Sequence, residues 1–162
     1  VVVSNRGKTG ETLVSMKTCF DTNIYISRPT LAFGEDTYVC SLVLTELQAS
    51  AVDSHVMKIL DALRARAEKD GVLLVPTKED WWEAGKALSR LSARAKRENH
   101  GQTPRFSPEE KVRLFNDVLL AVTCRRAGVT LVTDNLKDFE RVASACRVKI
   151  QSGDLFFAEA PL

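Results

Sequence analysis

The sequence predicts an α/β fold of three layers, α/β/α, built on a central parallel sheet of about five strands. Five short apolar runs of strand length recur along the chain, at 18–21 (TCFD), 37–41 (TYVCS), 72–76 (VLLVP), 129–133 (VTLVT) and 148–151 (VKIQ). The segments between them are longer and place apolar residues at helical spacing. Strands that alternate with helices form parallel sheets with right-handed crossovers and helices on both faces.

The elements follow in order. Residues 1–15 (VVVSNRGKTGETLVS) are polar and rich in Gly, Thr and Ser, and read as a leader, flexible or not native, ahead of a start at Met16. Residues 16–162 then make a single domain, long enough to bury a proper core. After the second strand, 41–52 and 53–71 read as two helices, the second closing on Gly71. Residues 77–98 open with Thr77 three residues before Asp80, a capping box in front of Trp81 and Trp82. Adjacent helical residues point about 100° apart, so at most one of the two tryptophans is expected in the core, and the other under a helix or dimer contact. Residues 99–108 (NHGQTPRFSP) form the one long loop. Residues 107–128 have Ser107 as cap, Pro108 at the first helical position, glutamates in the first turn and Gly128 at the exit. A short last helix spans 134–145.

Composition narrows the class. Hydrophobic residues make up 44% and charged residues 27% of the 162, close to an ordinary globular protein. No apolar run approaches the roughly 18 residues needed to span a bilayer, and the first residues lack the apolar core of a secretory signal. The expectation is a cytoplasmic protein with no membrane contact. Cys19, Cys40, Cys124 and Cys146 form no CxxC pair, and His55 and His100 have no partner at ligand spacing. Buried thiols are expected, and a zinc site is not. The stretch 90–113 is rich in Lys and Arg. Arg94, Lys96, Arg97 and Arg105 there suit an electrostatic grip on phosphates, or simply a solvated helix end and loop.

Most acids lie in mixed-charge helix faces; a few do not. Asp21 ends the first strand, in CFDTNIYI (19–26). Glu46 lies early in the helix after strand two, and Asp117 borders the buried face of its helix between Leu114 and Leu120. Asp134 and Asn135 follow the fourth strand, with Asp138 one turn on. Each has an ordinary explanation: Asp21 and Asp134 as helix caps, Glu46 favoured by a helix dipole, Asp117 paired with Arg113. Taken together these weaken. In a parallel sheet the carboxyl ends of strands and the starts of the following helices share one edge, where α/β folds place their ligands. Clustered carboxylates raise one another's pKa. A hard divalent cation such as Mg²⁺ or Mn²⁺ relieves that repulsion and can activate a water. The residues alone therefore point to metal-dependent phosphate chemistry, with an acid such as Glu46 orienting or deprotonating water.

FDTNIYI (20–26), LVLTELQA (42–49) and FNDVLLAVTCRRAGVTLVTDNLKDFERV (115–142) together resemble a PIN domain, and within it the VapC-type toxin ribonucleases of toxin–antitoxin pairs. The resemblance spans about 17–151. It implies that Asp21, Glu46 and Asp117 (in D-x-x-x-A with Ala121) are metal-associated catalytic acids, completed by Asp134 or Asp138, with Asp134 preferred because it directly follows the strand. Asn23, Thr133 and Asn135 would support them. It further implies Mg²⁺- or Mn²⁺-dependent cleavage of single-stranded RNA, a homodimer and a cognate antitoxin. A housekeeping PIN nuclease of RNA maturation, or a catalytically silent module binding RNA or protein, are the alternatives. An aspartyl phosphatase would need a second Asp where Asn23 stands, and a dinucleotide-binding fold would need a glycine-rich loop after strand one.

Overall fold

The computed structural model describes residues 16–28, 36–102 and 106–159. The leader and Arg105 lie outside them. The elements run β1 (Thr18–Phe20), α1 (Thr22–Ser27), β2 (Thr37–Cys40), α2 (Ser41–Ser50), α3 (Ser54–Lys69), β3 (Leu73–Leu74), α4 (Lys78–Glu98), α5 (Pro108–Ala127), β4 (Thr130–Thr133), α6 (Leu136–Cys146), β5 (Ile150–Ser152) and α7 (Gly153–Glu159). The five strands form one parallel sheet in the order β3-β2-β1-β4-β5. The expected three-layer architecture is present, with two elements added. Six-residue α1 follows β1 without a loop, and α7 closes the described chain.

Strand alternation sorts the two faces. Cys19, Cys40 and Leu131 point into a large core formed with Ala84, Ala87 and Leu91 of α4 and the buried residues 118–122 of α5, together with Phe139 and Val142 of α6. On the opposite face Phe20 and Val132 meet Ile24 of α1 and Phe156 and Phe157 of α7. Val39 packs there with Leu44, Leu60 and Ala67 of α2 and α3. All four cysteines are free and buried. Burial pushes the Cys40 thiol up to about 12 and the Cys146 thiol up to about 11, which leaves both unreactive.

The helix signals read from sequence are realised in detail. Thr77 Oγ1 accepts from Asp80 N while Asp80 accepts from Thr77 N, and Ser107 and Glu110 repeat the arrangement at α5. Gly128 leaves α5 at φ 67°, the left-handed conformation glycine adopts without steric cost. Neither tryptophan enters the core. Trp81 is half exposed and leans on Phe115 with ring centroids 5.5 Å apart, while Trp82 is 71% exposed beneath Lys86. The buried stripe of α4, which packs on α5 and α6, is Asp80, Ala84, Ala87 and Leu91, and both tryptophans fall outside it.

Asp80 does more than cap. It is 2% exposed, and Arg126 Nε at the end of α5 donates to its Oδ2 at 2.7 Å while Arg126 Nη2 donates to Val75 O. This pair pins the start of α4 to α5. Asp80→Ala removes the acceptor of both Thr77 N and Arg126, and is expected to cost about 2 kcal/mol. Urea unfolding would show this as a lower midpoint at unchanged slope; an unaltered midpoint would mean the pair is neutral.

Candidate active site

The sheet order places a crevice where chain connections diverge. From β1 the chain proceeds to β2 on one side, and from β4 to β5 on the other, so the carboxyl ends of these two central strands face an open gap, the usual ligand position of open α/β sheets. Asp21 follows β1 there. Its Oδ1 accepts from Thr22 N at 2.8 Å, making it the N-cap of α1, and its Oδ2 accepts from Asn23 Nδ2 at 2.8 Å and Thr133 Oγ1 at 2.9 Å. The cap and the site are thus one residue. Burial raises the Asp21 pKa; the bonds from Thr133 and Thr22 pull the other way, and Glu46 and Asp134 add to the rise.

Asn23 and Thr133 tie the two strand ends together. Asn23 Nδ2 also donates to Thr133 Oγ1, and Asn23 Oδ1 accepts from Asp134 N at 3.2 Å. Thr133 is fully buried and accepts from Asn135 N at 3.0 Å. Asn135 Nδ2 in turn donates to Asp138 at 2.8 Å.

Glu46 on α2 is held from two directions: Thr22 Oγ1 donates to its Oε2 at 2.5 Å and Asn116 Nδ2 to its Oε1 at 2.8 Å. Sequence reasoning misses Thr22 and Asn116. The only hint is their position next to Asp21 and Asp117, since the partner they share lies 24 and 70 residues away.

Asp117, on α5, lines one cleft with Asp21, Glu46 and Asn116, and an adjoining one with Asp138, Arg113 and Arg141. It makes no hydrogen bond or ion pair among the described residues; the ordinary alternative, pairing with Arg113, does not form. Burial first, then the charges of Asp21, Glu46 and Asp138, push its pKa up to about 7, and Arg113 offsets only part of this.

Asp134, preferred from the sequence because it directly follows the strand, is held in an ion pair. Asp134 turns away, to Arg28 Nη1 at 2.5 Å and Ser27 Oγ at 3.2 Å, and Arg28 also binds Asp154 of α7. Gly153 permits this approach, because a Cβ there would sit 2.2 Å from Asp134 Oδ1 and 2.6 Å from Ile24 Cδ1. Asp138 is the acid that the structure brings up beside Asp117. The basic residues divide between two places. Arg94 bonds Glu98 at 2.7 Å and reaches Ser144, and neither Arg94, Lys96 nor Arg97 lines the acidic cleft. Arg113 and Arg141 line it instead, Arg141 standing 5.8 Å from the ring centroid of Phe106.

The PIN domain profile matches residues 19–145 of the sequence. The chain belongs to the PIN domain family. PIN domains are nucleases. Among curated proteins none matches the chain. Among solved structures it is similar to VapBC2 from Rickettsia felis bound to a promoter DNA fragment, with a TM-score of 0.57 at 19% identity over 85% of this chain and 98% of the other. DNA-bound VapBC from Salmonella typhimurium gives 0.56 at 18%, and VapBC-1 from nontypeable Haemophilus influenzae 0.55 at 18%, each over 85% of this chain and 98% of the other. At this identity the likeness establishes the shared fold of this PIN domain.

The donor set suits a hard divalent cation. It is all carboxylate, and it contains one half-buried acid, Asp117, that no side chain neutralises. Among the described residues no group of three or more His, Cys, Asp or Glu side chains is arranged to hold an ion outright. Mg²⁺ binds through one or two carboxylates and keeps several waters.

Proposed function

We propose that this PIN domain is a metal-dependent endoribonuclease that hydrolyses phosphodiesters of single-stranded RNA, and that it is the toxin of a toxin–antitoxin pair. The observation that carries the reading is Asp117: half-buried, unpaired, and repelled by three other acids at the carboxyl edge of the sheet. Asp21 and Asp117 would hold Mg²⁺ or Mn²⁺, with Asp138 beside Asp117. When bound, such an ion supplies an activated water and offsets charge on the phosphoryl oxygens. Glu46, fixed by Thr22 and Asn116, is oriented to position the attacking water and take its proton. Asn23 and Thr133 hold the Asp21 carboxylate in one rotamer, and Arg113 offers a cation to the substrate phosphate at the mouth. An antitoxin partner is supported by the VapBC complexes that share the fold. A homodimer working in the cytoplasm completes the reading; among the described residues no helix is long and apolar enough to cross a membrane.

The test is cleavage of total RNA by the purified chain with Mg²⁺ or Mn²⁺, with EDTA, and by an Asp21→Asn/Asp117→Asn double variant. Discrete fragments that require both metal and the acids are expected, and their ends would name the target. RNA left intact by a folded, metal-loaded chain would sink the proposal.

A further inference from the structure

The molecule has a second concave site, remote from the acids and strongly basic. Arg90, Arg94 and Arg97 of α4 recur at i, i+4 and i+7 and so share one helix face. With Arg125 of α5 and Arg147 after α6 they line a cavity of about 670 Å³, in which the sole carboxylate is Glu83. Five guanidinium groups, charged at any physiological pH, are thus gathered in one hollow of a chain whose net charge is only +2.

Packing explains part of the cluster. Arg90 donates to Ala145 O at 3.1 Å and Arg125 to Cys146 O at 2.9 Å, satisfying the last carbonyls of α6. Arg94 is tied to Glu98. Among the described residues the side chains of Arg97 and Arg147 have no hydrogen-bond or ion-pair partner. Like charges one turn apart weaken a helix rather than support it. Arg147 also occupies the left-handed position after α6, at φ 58°, where glycine is favoured. Arg147 thus stands at a position that favours glycine, within a ring of like charges.

The chemistry of the hollow is that of a phosphate receptor. Guanidinium forks bind phosphate oxygens bidentately, and the pocket is lined by no aromatic side chain on which a base could stack. It therefore reads backbone rather than sequence. Its location selects the ligand. α6 has Asp138 in its first turn beside Asp117, carries Arg141 at the adjoining cleft, and brings Ser144, Ala145 and the following Arg147 to the basic hollow, a run of roughly 14 Å. One strand leaving the acidic cleft along α6 arrives at the arginines.

We propose that this arginine hollow is an exosite that grips the phosphate backbone of the RNA a few nucleotides from the scissile bond. The inference rests on the ribonuclease reading above, and its test is built to fail separately. Fluorescence anisotropy with a roughly 12-nucleotide single-stranded RNA in EDTA measures binding without cleavage, for the full chain and for Arg97→Ala/Arg147→Ala. The affinity is expected to fall about tenfold. The dependence of log affinity on log salt is expected to flatten by about 0.7 for each phosphate no longer neutralised. Arg66→Ala, on the exposed face of α3, serves as the control and should change neither. Equal affinity and slope in the double variant would overturn the exosite, as would preferential binding of a polyglutamate peptide, which would make the hollow a protein-docking site. Cleavage with Mg²⁺ is scored independently. Cleavage with an unaltered slope removes the exosite and leaves the ribonuclease, and a flattened slope without cleavage does the reverse.

Discussion

Asp117→Asn is expected to lower RNA cleavage at least a hundredfold while raising the melting temperature of the metal-free protein. The two effects share a cause. The Asp117 carboxylate is desolvated, makes no hydrogen bond among the described residues, and faces Asp21, Glu46 and Asp138, so its charge is unfavourable to the fold and useful only to a cation or a reaction. Removing one group that acts on the reacting atoms typically costs two or more powers of ten. The linkage sign follows from the direction of the shift. Folding raises this pKa from an ordinary carboxylate value to about 7, so the folded state holds a proton that the unfolded state has released. The contribution is fully present below the unfolded value of about 4 and is lost as pH rises through about 7. Metal-free wild type should therefore lose stability across that window, and the Asn variant should not. Mg²⁺, which favours the ionised form, should restore the wild type and leave the variant unmoved. Thermal melts at pH 5 and pH 8, with and without Mg²⁺, decide it; a variant that melts lower than wild type at pH 8 would refute the account of Asp117 as an unneutralised charge.

Asp21→Asn should abolish cleavage to a similar degree but carry a structural penalty that Asp117→Asn does not. Asp21 uses both oxygens, Oδ1 for Thr22 N and Oδ2 for Asn23 and Thr133. An asparagine there has one acceptor oxygen, and its amide must confront a donor on one side or the other. With the amide toward Thr22 the cap of α1 is lost, at about 1 kcal/mol. With it toward Asn23 and Thr133, the tie between β1 and β4 is lost, at about 1–3 kcal/mol. The Asp21 variant is thus expected to melt some 2–8 °C below the Asp117 variant. Equal melting temperatures would mean that the hydrogen bonds around Asp21 contribute nothing net.

These opposite fates of two carboxylates mark the limit of what sequence alone discloses. Local signals are legible. Thr77 with Asp80, and Ser107 with Glu110, are bonded three residues apart and, with Pro108 at the first position of α5, mark the starts of α4 and α5. Five apolar runs disclose the sheet, because a parallel strand buried on both faces reads as a continuous apolar stretch. Asp21, Glu46 and Asp117 stand out because each sits where a lone acid is costly. What escapes is decided across long separations. Arg28 reaches Asp134 over 106 residues, a pairing that no reading of TDNLKD could foresee. Thr22 and Asn116 acquire a role only when α2 brings Glu46 between them. The short α1 and α7 lack the two turns over which helical periodicity declares itself. Arg94 and Arg97 read in one dimension as a grip on phosphates or a solvated helix end, and only the fold shows that their stripe faces the end of α6.

The order of the strands has a consequence for a chain still being made. β1 stands between β2 and β4, yet the ribosome delivers its two neighbours nearly a hundred residues apart. At about 5–20 residues per second, an emerging chain has Asp21 and Glu46 for several seconds before α5, β4 and α6 arrive with Asp117, Thr133 and Asp138. Until β4 docks, one edge of β1 is bare and the Asp21 carboxylate lacks its Thr133 ligand. A truncated or stalled product can neither collect the acids nor seal the sheet. The carboxyl edge of the sheet is thus complete only once the last third of the chain has been made.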